Sequence, residues 1–170
     1  ITSHSPQIAC EFSPNSIIRL FMEKFETKAA NNGASIILET AFIDMGYRMS
    51  TIPAEAFFSS AVLLVEGPSE IILYKKVAKA KGIDLDKLNI SILMVDGIDF
   101  EVYVKILEAL KIPWILRTDN DIFKIPKKNA FRFAGIERAI NIYENYISAS
   151  NIIILQNKNN LRWENKEEPN

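Results

Sequence analysis

The chain has 170 residues, 48% hydrophobic and 24% charged, a balance that can bury a core and excludes a disordered or fibrous polypeptide. Its formal net charge of −1 leaves no global basic field to hold a polyanion, so any anion site must be local. The single cysteine, Cys10, excludes an internal disulfide and is compatible with a reducing, cytoplasmic setting.

The sequence opens Ile1-Thr2-Ser3-His4, with no initiator Met, basic segment or apolar segment. The expectation is a polypeptide without a secretory signal, cut from something longer. No apolar run approaches the ~20 residues that a membrane span requires, so no membrane partner is expected. Residues 17–20 and 35–39 are short strand candidates. They are separated by a polar stretch over 26–33, whose Asn31-Asn32-Gly33 is turn chemistry. Ile52-Pro53 and Phe57-Phe58 mark a junction.

Beyond it the pattern alternates strand and helix. Residues 61–65 are a fully apolar strand. Pro68 then occupies a natural first helical position, Ile71, Leu73, Tyr74, Val77 and Ala78 follow, and Lys81-Gly82 closes the helix. Residues 90–95 give a second strand, Tyr103, Ile106, Leu107 and Leu110 one face of a second helix, and Trp114-Ile115-Leu116 a third strand. A third helix is expected from about residue 135 or 136 to 146, and another strand over 151–155. After residue 156 the chain turns polar, as in a loop or a cut end. Apolar strands alternating with amphipathic helices predict right-handed crossovers and an α/β, doubly wound parallel sheet covered on both faces.

In such sheets ligands bind at the carboxyl edge, and two strands here end on acids: Glu66 and Glu70 after the first, Asp119 and Asp121 after the third. An ionised Glu66 at the end of a dry strand needs a partner or a metal. Glu70 reads either as a second ligand or as a cap at the third helical position. Asp119-Asn120-Asp121 reads either as a self-bonded turn or as two oxygens offered to a hard cation such as Mg²⁺. If the four acids meet, two metal ions ~4 Å apart would stabilise both oxygens of an in-line phosphodiester displacement. Asp96, before Gly97, is a turn or a more distant acid of the same pocket. Lys124, Lys127, Lys128 and Arg132 follow the Asp pair and either receive DNA phosphates or form a solvated loop. Lys75, Lys76, Lys79 and Lys81 read as the wet face of the first helix.

Val65-Glu66-Gly67-Pro68-Ser69-Glu70, Asp96-Gly97 and Arg117-Thr118-Asp119-Asn120-Asp121 together resemble the Toprim domain of OLD (overcoming lysogenisation defect) family nucleases. The resemblance spans residues 62–121 and is strongest to the endonuclease subunits of Gabija anti-phage systems. It implies a Toprim-type fold and Mg²⁺- or Mn²⁺-dependent, two-ion cleavage of double-stranded DNA. Glu66, Asp119 and Asp121 would be the catalytic acids and metal ligands, with Glu70 a further ligand and Asp96 behind them. Ile1-Thr2-Ser3-His4-Ser5-Pro6 resembles the histidine switch that ends an ABC-type ATPase core, with His4 sensing nucleotide; as an isolated residue His4 is equally a plain surface or core histidine.

The resemblance thus implies three parts: residues 1–56 as a short α+β tail of an ATPase domain and linker, 57–155 as the Toprim core, and 156–170 as a polar loop or cut end. It further implies ATP bound mostly outside this chain, a homo-oligomer formed through ATPase and Toprim domains, and a UvrD-like helicase as partner. No Gly-x-x-x-x-Gly-Lys-Ser/Thr loop is present, so the chain itself is not expected to cradle ATP phosphates. No residue after Asp121 is assigned as the later acid or lysine that such nucleases use. Two other classes stay open: a non-catalytic assembly or nucleotide-sensing module, and a phosphatase-like hydrolase with an aspartate nucleophile.

Overall fold

The structure is a computed structural model that describes residues 1–11, 16–30, 36, 54–95, 100–124, 126–127 and 131–146. It falls into two compact units, Ile1–Arg117 and Thr118–Asn170. The expected elements over 31–35, 37–39 and 151–155, together with the tail after 156, lie outside the described residues.

The first unit begins with α1 (Pro6–Cys10), capped by the Ser5 side chain, which accepts from the Ile8 N–H. A hairpin follows, β1 (Arg19–Glu23) paired antiparallel with β2 (Glu26–Ala30). The hairpin corrects the expected polar connector over 26–33: its first five residues are a strand. Lys24 and Phe25 form a two-residue turn with φ of 50° and 67°, the left-handed values that match strand twist. A Lys-Phe turn lacks the usual Asn-Gly chemistry, and four of the five β2 residues are exposed, so neither turn signal nor alternation marked it.

Arg19 fastens this hairpin to the sheet unit. Its Nε donates to the Phe57 carbonyl, Nη2 to that of Ser59, and Nη1 to those of Leu110 and Lys111, at 3.1–3.2 Å. The last two close a helix C-terminus, whose orphan carbonyls favour a cation. Burial lowers the Arg19 pKa from its ordinary value, yet an arginine starts so high that it stays charged.

A 3₁₀ turn over Ala54–Phe58 leads into the parallel sheet of β3 (Ala61–Val65), β4 (Ile90–Met94) and β5 (Trp114–Leu116). The strand order is β4-β3-β5, with Ala61 opposite Ile90 and Val62 opposite Trp114. The crossovers are α2 (Pro68–Ala80) and α3 (Phe100–Ala109). The chain leaves β3 toward β4 and returns to β5 on the other side, so right-handed crossovers put α2 and α3 on opposite faces. This is the doubly wound arrangement expected from the sequence.

The most buried side chains include Val62, Leu64 and Val65 of β3, on both faces of the strand, and Phe100, Val104, Ile106, Leu107 and Leu110 in and just after α3, all at most 2% exposed. Helix α2 is shallower than its apolar spacing suggests, since Leu73 and Val77 are exposed alongside Ile72. Its lysines, Lys75, Lys76, Lys79 and Lys81, are exposed as expected of a wet face. Gly82 ends it at φ 70°, a value that a residue without Cβ adopts freely.

The second unit contains β6 (Ile122–Lys124) and β7 (Phe131–Phe133), an antiparallel pair, followed directly by α4 (Ala134–Tyr146). The segment expected to be a basic loop is therefore largely a hairpin. Its strands are three residues long, too short for a period to show in the sequence. No helix among the described residues is long and apolar enough to cross a membrane.

Candidate active site

Where strand order reverses, the two crossovers diverge and leave a crevice at the carboxyl ends of the strands; this is where doubly wound sheets bind ligands. Here that point lies between β3 and β5. Glu66 follows β3 and Arg117 follows β5, with the Arg117 N–H still in the ladder to the Leu64 carbonyl at 2.9 Å. Glu66 is half-buried.

Glu70, at the third position of α2, is 8% exposed, the one charged residue among the buried positions of the described residues. Its Oε2 accepts from the Glu66 N–H at 3.0 Å and the Gly67 N–H at 2.8 Å, closing the N-terminus of α2. Its Oε1 is paired with the Arg117 guanidinium. The capping alternative for Glu70 is thus realised. The same carboxylate ties the end of β3 to the end of β5 across the crevice. Replacing Glu70 with Ala removes the acceptor of two part-buried N–H groups and breaks the ion pair with Arg117. A loss of about 2–3 kcal/mol is expected, read as a lower urea midpoint. Glu70→Gln, which keeps an acceptor oxygen, should lose less; equal losses would show that the bonds to oxygen are not what matters.

In the second unit, Asp119, Asn120 and Asp121 are exposed and precede β6. The first turn of α4 supports them. The Ala134 N–H donates to the Asp121 carbonyl at 2.8 Å. A Cβ on Gly135 would collide with the Asp119 carbonyl and come within 3.0 Å of the Asn120 Cα, so only glycine allows the helix so close. Arg138, one turn on, donates from Nη1 to the Thr118 hydroxyl at 2.8 Å and from Nη2 to the Asp121 carboxylate at 3.5 Å. The sequence marks Gly135 only as a possible helix start and gives no signal for Arg138, since nothing distinguishes one glycine and one arginine there from ordinary punctuation and surface charge.

Of the basic residues expected near DNA, Lys124 and Arg132 sit on the hairpin, Lys127 in its turn at φ 65°, and all three are exposed. Lys128 lies outside the described residues, as does Asp96. Arg132 is ion-paired with Glu137, and the side-chain hydrogen bond and charge of that glutamate raise its pKa further. His4 is exposed and precedes α1. Among the described residues, no three His, Cys, Asp or Glu side chains are grouped as a metal ion would need.

Residues 57–121 match the family model for the TOPRIM domain of overcoming lysogenization defect protein-like proteins. Two curated relatives are similar. Endonuclease GajA of Bacillus cereus strain VD045 is 30% identical over 143 residues, covering 84% of this chain and 24% of that protein. Endonuclease GajA of strain HuB5-5 is 38% identical over 69 residues, covering 41% of this chain and 10% of that protein. The chain therefore spans a quarter or less of these relatives' length. Among solved structures, the C-terminal region of the Burkholderia pseudomallei OLD protein is 28% identical with a TM-score of 0.46, covering 55% of this chain and 44% of that one. Glu66, Glu70, Asp119 and Asp121 all fall within the matched segment, and with the parallel β4-β3-β5 sheet this makes residues 57–121 a TOPRIM domain of the OLD-like family.

Proposed function

We propose that the chain is the nuclease core of a metal-dependent DNA endonuclease, hydrolysing phosphodiester bonds in double-stranded DNA. The observation that carries this reading is Glu66 at the switch point between β3 and β5, inside a TOPRIM match whose two curated relatives are both named endonucleases. Glu66, Asp119 and Asp121 are the catalytic acids, and their oxygens suit Mg²⁺ or Mn²⁺. A bound pair of such ions supplies charge stabilisation at the attacking and leaving oxygens. Glu70 joins the ligand set only by exchanging Arg117 for a cation, since its other oxygen already holds two N–H groups. Asp96 is proposed as a more distant acid of the same site. Lys124, Lys127, Lys128 and Arg132 provide the local positive charge that the net charge of −1 lacks, and receive phosphates flanking the cut.

In the same proposal residues 1–56 end an ATPase domain with His4 at its nucleotide sensor, 57–155 form the nuclease core and 156–170 lie beyond it. The full protein would act on foreign DNA in the cytoplasm, as an ATP-regulated homo-oligomer with a UvrD-like helicase partner.

The test uses the full-length protein on plasmid DNA. Cleavage should appear with Mg²⁺ or Mn²⁺ and vanish with EDTA. The metal should also stabilise the fold without DNA by about 2.7 kcal/mol at a hundredfold excess over Kd, read as a higher melting temperature. Cleavage that survives EDTA overturns the reading. The capped Glu70 favours a second reading, a non-catalytic assembly or nucleotide-sensing module, which predicts neither cleavage nor metal-dependent stabilisation.

A further inference from the structure

Arg138 is 17% exposed on its side chain, while the Asp121 carboxylate that it meets is 57% exposed. It is thus a shielded cation reaching toward an open acid. Two of its partners belong to one short segment, the Thr118 hydroxyl at its start and the Asp121 carboxylate at its end. Gly135 lies three residues earlier on the same face of α4, against the carbonyl of Asp119. Backbone contact below and a guanidinium above therefore grip the same four residues. A planar fork with donors on separate nitrogens suits two such acceptors better than the single nitrogen of an ammonium. Of the other arginines near this loop in sequence, Arg132 is engaged by Glu137 and Arg117 by Glu70.

We infer that Arg138 is the positioning residue of the Asp-x-Asp loop: it joins the Thr118 hydroxyl to the Asp121 carboxylate and so sets where the two aspartates present their oxygens. This rests on the nuclease reading proposed above. Partners that orient a ligating group typically change metal affinity or activity by about 10–100-fold when removed. Removing a positive charge beside an acid would by itself attract a cation more strongly, so the sign of the change separates orientation from simple charge competition.

The experiment compares wild type, Arg138→Met, Arg138→Lys and Asp121→Asn in the full-length protein. It measures Mn²⁺ binding by calorimetry without DNA, and kcat and KM for plasmid cleavage. Arg138→Met should weaken Mn²⁺ binding about tenfold or more and lower kcat by a similar factor, with KM for DNA within about twofold. Arg138→Lys should recover less than half of the loss on a logarithmic scale, because one ammonium holds the two partners less well. Unchanged or tighter Mn²⁺ binding in Arg138→Met overturns the inference. So does a rise in KM with a weaker salt dependence and unaltered Mn²⁺ binding, which would mark a phosphate contact. Full rescue by Lys overturns it as well.

If Arg138→Met does not fold, Thr118→Val removes one partner alone and should weaken Mn²⁺ binding about threefold; no change there also overturns the inference. Wild type that neither binds Mn²⁺ nor cuts defeats the nuclease reading itself, and Asp121→Asn that binds Mn²⁺ and cuts like an active wild type defeats the role of the Asp-x-Asp loop in it. An inactive Asp121→Asn beside a normal Arg138→Met defeats only the role of Arg138.

Discussion

Full-length protein carrying Asp119→Ala is expected to lose DNA cleavage by a factor of at least about a hundred while melting within about 1 °C of wild type. Asp119 is exposed on the loop before β6, so its side chain contributes little to packing and its removal should leave the fold intact. Its proposed work is chemical. A carboxylate that helps hold a divalent ion controls how much charge is neutralised on the phosphate, and losing one such contribution costs about 3–4 kcal/mol of barrier, or 10²–10³ in rate. If the ion itself is lost, the remaining rate falls further.

The informative control is Asn120→Ala. It lies between the two aspartates, is equally exposed, and carries no carboxylate. Cleavage assays at saturating Mn²⁺ should separate the two variants by about two orders of magnitude or more. An Asp119→Ala protein that cuts within tenfold of wild type would mean that the loop is merely a turn, the plainer reading that any Asp-Asn-Asp triplet invites.

The α/β core was legible because its signals are local and redundant. An apolar run at 61–65, a proline at the first position of α2 and a glycine after it each mark a boundary independently, whereas the β4-β3-β5 order comes from the structure, since right-handed connections allow β3-β4-β5 as well. The two hairpins were not legible. Both β2 and β6 are exposed along their length apart from Ala30, so no buried face imposes the period of two that reveals a strand. The acids at the strand ends were legible as a pattern, since strand termini and carboxylates can both be read from the sequence. Their supports were not: the bond from Glu70 to Arg117 spans 47 residues and that from Arg138 to Thr118 spans 20. Such pairings arise from how the chain closes on itself, and one sequence carries no record of them.

The same reasoning makes Gly135 the most sensitive position in the second unit. Two effects oppose each other in Gly135→Ala. Alanine is the better helix former, worth about 1 kcal/mol inside a helix such as α4. Against this, the new methyl meets the Asp119 carbonyl and the Asn120 backbone, neither of which can swing aside as a side chain would. Overpacking against atoms that cannot rotate away costs about 3 kcal/mol or more, so the clash should win and the variant should be destabilised by about 2 kcal/mol.

The functional loss should be larger than the stability loss. Relief of the clash requires α4 and the loop at 119–120 to separate, which displaces the proposed Asp-x-Asp oxygens by a large part of an ångström. A displacement near 1 Å in a catalytic constellation costs about 10² in rate. Gly135→Ala should therefore cut DNA about a hundredfold more slowly at temperatures where it remains folded. Gly135→Val should be worse on both measures, adding branched bulk against the same backbone. Unfolding by urea and initial cleavage rates at 20 °C would measure the two effects side by side. If Gly135→Ala instead melted higher and cut normally, helix propensity would have prevailed, and the tight seat of α4 on the Asp loop would have no part in activity.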